Sequence, residues 1–415
     1  MTKNRKDEKR RTYSRCKVDN VLTHPLLSIP VFLLMMFLVF FLTFGPVGSF
    51  FADGFALLID SGVSLLAGAL RNAGVAEWVQ DLVVGGVLTG VGSVLKFLPT
   101  IVILFLLLSI LEDSGYMARA AFLMDKPLRK LGLNGRSFIP MMMGFGCTVP
   151  AVMSARSMNN DRDRRFTIML TPFMSCGAKV PIYALFTRAF FPGNQVWVMT
   201  GMYLMGILVA IGAGLVLKRT VFHGDAAPFI MELPAYRLPT PANVLRQMWD
   251  KAKDFLQRAF TVIFLATLIV WFLQNFTFRL EMTSEIGESM LGKIAGLIAP
   301  VFAPAGFGSV EASTAVITGL MAKESVVSTL AVLSGVDAES AQMVSVMRQI
   351  FPSTLAAVSF LVFVLLYMPC VAAVAAMRRE MESSRWAYGT IAAQTALAWT
   401  LATLVFQLGR LLGLG

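Results

Sequence analysis

The chain has 415 residues, of which 56% are hydrophobic and 15% charged, against roughly 25% charged in soluble globular proteins. Lys and Arg outnumber Asp and Glu by 36 to 25, a formal net charge of +11. These basic residues cluster beside apolar segments, so they read as the positive-inside bias of a membrane protein rather than a nucleic-acid surface, and the alternating pattern of a membrane barrel is absent.

In chain order, Lys3, Arg5, Lys6, Lys9, Arg10, Arg11, Arg15 and Lys17 form a basic tail that predicts a cytoplasmic N-terminus. The run from Leu26 to Phe44 is longer than a signal-peptide core and no A-x-A site follows, so it predicts a retained first span. Phe50 to Leu70 carries Asp53 and Asp60 and is expected to lie along the outer surface or dip into it. Asp81 to Leu111, interrupted by Gly85, Gly86, Gly90, Gly92 and Pro99, is too long for one straight span and predicts a broken helix or hairpin. Ser137 to Ala155 contains Pro140, Gly144, Gly146 and Pro150 and has basic residues on both flanks, which predicts a re-entrant hairpin.

Phe166 to Phe191 predicts a crossing broken around Pro172 to Pro181, and Val196 to Leu217 a return to the basic Lys218-Arg219. Val244, Leu245, Met248, Phe255 and Leu256, spaced by charged residues, predict an amphipathic helix on the membrane surface. Phe260 to Phe276 predicts a span. Ala295 to Leu333 is broken by Pro300, Pro304, Gly306, Gly308 and Gly319. Gln349 to Met377 is interrupted at Pro369-Cys370, and Trp386 to Leu412 is the last span.

The expected fold is an all-α polytopic membrane protein of about seven or eight transmembrane helices with re-entrant or broken hairpins. Its expected organisation is a basic tail (1–25), a first membrane half (26–220), a cytoplasmic amphipathic linker (221–258) and a second membrane half (259–415). An internal repeat is suggested: the broken segment Asp81 to Asp113 precedes Cys147 as Ala295 to Glu324 precedes Cys370, and paired interrupted helices often mark a midplane site.

Three of the four cysteines, Cys147, Cys176 and Cys370, stand in Pro/Gly-broken apolar sequence. Such breaks free backbone carbonyls and are tolerated at membrane depth only where they line a cavity or pack in protein. A thiol beside freed carbonyls suits a borderline metal ion better than Mg²⁺ or Ca²⁺. The competing reading is that these cysteines are small buried hydrophobes. Met174 is a candidate thioether contact, although most of the 25 methionines must be packing. Glu112, Asp113, Lys323 and Glu324 lie within or at the edge of apolar runs, where a charge costs at least roughly 2.5 kcal/mol and usually serves function. Glu112 and Asp113 also fit a helix end at the interface. Lys323 and Glu324 are expected to form a structural or gating ion pair with another charged residue, since adjacent residues face different sides of a helix. The cluster Arg156 to Arg165 reads as a topology anchor and docking surface. Cys16 receives no role. With only two His in the chain, a His-rich metal site is excluded.

Several ordered motifs resemble the ferrous iron transport protein B family of bacteria and archaea. Gly90 to Pro99 and Leu111 to Phe122 are similar to its first gate segment, and Gly144-Phe145-Gly146-Cys147-Thr148-Val149-Pro150-Ala151 to its GFGCNVPA motif. Pro172 to Tyr183, which includes Met174, Ser175 and Cys176, resembles PFMSCSARLPVY. Glu232 to Tyr236 resembles ELPPY, Ala322-Lys323-Glu324 the AKE of the second gate, and Leu366 to Ala372 LYxPCxA.

The resemblance implies a ferrous iron uptake protein of a prokaryotic cytoplasmic (inner) membrane. It implies metal contacts at Cys147, Cys176, Cys370, Thr148, Ser175 and Met174, no cofactor, no catalytic residue, and Fe²⁺ as cargo. It further implies a GTP-binding domain as partner, separate or removed, since no G-x-x-x-x-G-K-[ST] occurs here. A small accessory cytoplasmic protein, a homo-oligomer and membrane lipid complete the expected partners. Thr148, Gly177 and Lys179 depart from the family's Asn, Ser and Arg, which leaves Mn²⁺ or Zn²⁺ as alternatives, and the resemblance of the family's gate segments to those of nucleoside carriers leaves an organic-solute, nucleoside-type cargo as another.

Overall fold

The computed structural model describes residues 28–413 apart from 75, 81–82, 85–87, 89–91, 93–94, 97, 159, 224–238, 280, 284–286 and 337–339. The basic tail, Cys16, the 232–236 motif and much of the glycine-rich 81–97 segment therefore lie outside the described residues. Among the described residues the only strand-like feature is an isolated bridge between Phe276 and Met282.

Five helical stretches are long and apolar enough to cross a membrane, or seven if each of two bent pairs counts as one span. Many of their large side chains stay exposed, among them Leu34, Phe37, Leu204 and Leu208; in water this would be unstable, while in lipid it needs no covering. α1 (Ser28–Phe44) and α2 (Pro46–Asn72) run on as one 43-residue stretch from Pro30. Phe50 to Leu70 is thus a continuous helix rather than a separate surface segment. Asp60 pairs with Lys96 at 2.7 Å, which offsets the charge that suggested a surface position.

α3 (Leu98–Asp113) turns by 80° into α4 (Tyr116–Lys130) at Gly115, whose φ of 80° is open to glycine without strain. α5 (Phe138–Gly146) and α6 (Thr148–Ser154) pack on each other about the single extended residue Cys147, forming the expected hairpin. α7 (Asp161–Leu170) and α8 (Val180–Phe190) flank an irregular stretch containing Cys176, and α9 (Gln195–Thr220) follows.

α10 (Pro241–Asn275) is one 35-residue helix. The amphipathic surface segment and the next span are therefore a single element, with no boundary at 258. In the second half, α11 (Met290–Phe302) bends by 104° into α12 (Val310–Met321). α13 (Ser325–Ser334), α14 (Ala341–Ile350), α15 (Thr354–Leu366), α16 (Val371–Glu380) and α17 (Ser384–Leu411) complete the chain.

Each half carries a short helix pair broken at one extended residue, and these breaks match Cys147 to Ala322 rather than to Cys370. The hairpin α5/α6 breaks at Cys147 (φ −150°, ψ 131°) and the hairpin α12/α13 at Ala322 (φ −144°, ψ 133°). In chain order the Cys176 break before α8 then corresponds to the Cys370 break before α16, and α9 to α17. Phe222, just past the end of α9, stacks on Trp386 in the first turn of α17 with centroids 5.6 Å apart, which joins the end of one of these helices to the start of the other. α6 packs on α16 and α13 on α8, which crosses the halves at their breaks.

Charged groups bind the halves at one rim. Arg156 pairs with Glu380 at 2.7 Å, Arg164 with Glu382 at 3.1 Å, and Arg165 donates to the Met381 carbonyl at 3.2 Å. Arg162 donates to the carbonyls of Gly132 and Phe222 and pairs with Asp163. The arginine cluster is therefore engaged within the fold.

Candidate functional site

Each cysteine stands where a helix starts. Cys147, Cys176 and Cys370 have extended ψ values of 131°, 160° and 156°. Their carbonyls accept the first intrahelical N–H bonds, from Ala151 at 3.3 Å, Lys179 at 3.0 Å and Val374 at 3.0 Å. Pro150, Pro181 and Pro369 lie next to these starts, where an absent N–H costs little or the chain cannot be helical. All three cysteines are free thiols.

The three breaks converge. Cys147, Cys176 and Cys370 line one cavity of about 340 Å³ together with Thr148, Lys179, Lys323 and Glu324. Phe44 of α1, Thr100 and Leu104 of α3, and Phe255 and Thr267 of α10 complete much of its wall. Gly146 permits Leu104 to approach: a Cβ there would meet its Cδ2 at 2.5 Å.

Of the candidate metal contacts, Cys147, Cys176, Cys370 and Thr148 are on the wall, whereas Met174 and Ser175 lie behind it. Ser175 shares a hydrogen bond with the Tyr183 hydroxyl at 3.0 Å. The Met174 carbonyl accepts from Lys179 at 3.3 Å. Among the described residues no group of three or more His, Cys, Asp or Glu side chains is close enough to hold one metal ion. The cavity therefore offers separate sulfur side chains rather than a closed ligand cluster among the described residues.

The charged residues divide differently from the expectation. Lys323, 3% exposed, forms no ion pair among the described residues. It donates to the Met368 carbonyl at 2.8 Å and lies 3.1 Å from the centroid of the Tyr367 ring. Glu324 faces the same cavity. Glu112 pairs with Lys251 of α10 at 2.7 Å, and Asp113 accepts from the Thr240 N–H at 3.2 Å. These two acids thus fasten the polar end of α10 to α3, away from the thiols.

Sequence reasoning missed Lys179, which is 3% exposed and donates to the Leu365 carbonyl at 2.7 Å. The argument applied to Lys323, a charge inside an apolar run, would have found it. Ala322 carries no chemical signal, and only the backbone shows it as the counterpart of Cys147.

A second cavity of about 620 Å³ abuts the first on the side of the arginine rim and is lined by Glu112, Arg156, Asp250, Lys251 and Lys253. α3 gives Leu104 to one cavity and Phe105 to the other, α6 gives Val149 and Pro150, and α10 gives Phe255 and Gln257. Phe105 meets Phe255 edge to face at 6.5 Å in the partition.

Apolar spans and broken helices enclosing a thiol-lined chamber define a multi-pass membrane protein of the gate type. The family model described as "Nucleoside recognition", the Gate domain, matches residues 94–190 and 256–384, and that described as "Ferrous iron transport protein B C terminus" matches residues 199–251. The chain belongs to the ferrous iron transport protein B family.

It is 40% identical over 400 residues to a Fe(2+) transporter FeoB of Staphylococcus aureus, covering 96% of this chain and 60% of that protein. It is 37% identical over 440 residues to a Fe(2+) transport protein A/Fe(2+) transporter FeoB fusion protein of Porphyromonas gingivalis, covering 95% and 51%. It is 35% identical over 444 residues to a Fe(2+) transporter FeoB of Salmonella typhi, covering 94% and 57%. The chain thus spans between half and three fifths of the length of these relatives. No solved structure matches it.

Proposed function

We propose that the chain conducts a divalent transition metal, ferrous iron foremost, across the cytoplasmic membrane of a prokaryote through the central cavity. The observation that carries this reading is the convergence of Cys147, Cys176 and Cys370, from three separate helix breaks, on one chamber. Sulfur donors favour borderline and soft ions over Mg²⁺ and Ca²⁺. Thr148 adds a hydroxyl at the wall, while Met174 and Ser175 act by shaping the break. Glu112 and Asp113 regulate the path by holding α10, whose Phe255 stands in the partition with Phe105. The ion leaves toward the arginine rim, which faces the cytoplasm together with the N-terminus.

The proposed role is transport without catalysis, and Fe²⁺ is cargo. The relatives named for Fe(2+) transport are longer than this chain, which leaves room for a GTP-binding domain as the gating partner. The fusion found in Porphyromonas gingivalis favours a small accessory protein as another.

A second reading follows from the family description "Nucleoside recognition". Against it, most of the described residues lining the central cavity are apolar, no Asn, Gln, His or Asp is among them, and the three thiols favour a metal over a ribose or base. Reconstitution in liposomes separates the two: Fe²⁺, Mn²⁺, Zn²⁺ and uridine entry are followed with and without a candidate GTP-binding partner and GTP. Metal entry is expected, with Fe²⁺ fastest; uridine entry without metal entry would reverse the assignment.

A further inference from the structure

We propose that Lys179 and Lys323 set the ion selectivity of the central cavity by occupying, as tethered cations, the backbone carbonyls that its broken helices free. The inference rests on the divalent-metal reading above and adds what excludes the hard cations that surround any cell.

A helix that ends inside a membrane leaves its last carbonyls without intrahelical partners. Carbonyl oxygens are the donors that K⁺, Na⁺ and Ca²⁺ accept in place of water. A cavity made of four helix breaks would therefore attract hard cations before it attracted iron. Here several of the carbonyls at the breaks are taken. Lys179 donates to the Leu365 carbonyl at the end of α15 at 2.7 Å, and reaches those of Met174 at 3.3 Å and Pro172 at 3.5 Å. Lys323 donates to the Met368 carbonyl at 2.8 Å. The carbonyls of the three cysteines are engaged by the helices that they start.

The donors left facing the chamber include the thiols, and those bind ions that form strong bonds to sulfur. Charge acts in the same direction. Two basic residues, Lys179 and Lys323, and one acidic residue, Glu324, line the cavity. An ion held by field strength alone is repelled, while one that bonds to sulfur recovers the cost. Each lysine also ties two breaks together: Lys179 stands beside the Cys176 break and reaches the end of α15, and Lys323 stands beside the Ala322 break and reaches the Cys370 break. Burial at 3% exposure holds both in place, and the carbonyls supply the bonds that a buried cation requires.

The test is ion flux into liposomes holding the whole chain, with Fe²⁺, Mg²⁺ and Ca²⁺ measured side by side for the native protein and for Lys179→Met, Lys323→Met and the double variant. The native protein is expected to pass Fe²⁺ and to exclude Mg²⁺ and Ca²⁺. The double variant is expected to raise Ca²⁺ entry relative to Fe²⁺ by about tenfold or more. If a methionine variant fails to fold, Lys179→Ala and Lys323→Ala carry the same measurement, because they too free the carbonyls. Folded variants that exclude Ca²⁺ and Mg²⁺ as strictly as the native chain would overturn the proposal. Absence of Fe²⁺ entry in the native protein would instead count against the transport reading, so the two failures are distinct.

Discussion

Lys323 reaches out of its own helix break to the Met368 carbonyl, 2.8 Å away, and passes over the Tyr367 ring on the way. One side chain thereby joins the second hairpin to the break that carries Cys370. The ring and the carbonyl together replace the carboxylate that a buried lysine would ordinarily seek, and an ammonium over an aromatic face gains roughly 0.5–2 kcal/mol.

Tyr367 should accordingly matter through its ring more than its hydroxyl, whose bond to the Val316 carbonyl is long at 3.4 Å. Tyr367→Phe is expected to lower stability by less than about 1 kcal/mol, and Tyr367→Leu by about 2–4 kcal/mol through lost packing and lost cation contact. Thermal unfolding in detergent, compared across the two variants, checks this order.

Close approach of α9 to Phe173, ahead of the Cys176 break, depends on a missing side chain. A Cβ on Gly206 would lie 2.6 Å from the Phe173 carbonyl oxygen, a backbone atom that cannot swing aside. Gly206→Ala is expected to cost about 1–3 kcal/mol by overpacking. Gly212, on the same helix, has nothing within 4 Å of the added atom, and Gly212→Ala should be neutral or slightly stabilising. The pair of melting curves tests the packing account with its own control.

The fastening of α10 to α3 should be visible in hydrogen exchange. Glu112 and Lys251 are partly exposed, so their ion pair contributes less than about 1 kcal/mol. Together with the Asp113 cap on Thr240, it nevertheless decides whether the polar end of α10 stays docked. Glu112→Ala with Asp113→Ala is expected to speed amide exchange over residues 240–251 while leaving 264–275 unchanged. Equal exchange in the double variant and the native protein would mean that α10 is held elsewhere.

The rim bond between Arg156 and Glu380 joins residues 224 apart in sequence. Arg156 is half-exposed and Glu380 nearly buried. A double-mutant cycle with Arg156→Ala and Glu380→Ala is expected to give a coupling of about 0.5–1.5 kcal/mol, between exposed and buried limits.

Much of this was legible in the chain. The apolar runs placed the spans, the Pro and Gly positions placed the breaks, and Cys147, Cys176 and Cys370 were marked by the sequence around them. What was not legible depends on long-range packing. Cys147 and Cys370 look alike in sequence because each neighbours a proline, yet the backbone matches Cys147 to Ala322, a residue with no distinguishing chemistry. Lys323 was expected to find a carboxylate because charge pairing is the common solution; a carbonyl presented by a helix break 45 residues away cannot be read from local pattern. The continuity of α10 was hidden because its polar first half and apolar second half have different compositions, and only docking on α3 shows that one helix serves both surfaces.

The most direct test of the central claim is Fe²⁺ entry into liposomes carrying the native chain or Cys147→Ser, Cys176→Ser or Cys370→Ser, each first shown to fold. With the thiols as stepping points, at least one variant should lose about tenfold or more of the native rate, since serine keeps the size and removes the soft donor. Native rates in all three folded variants would contradict the account.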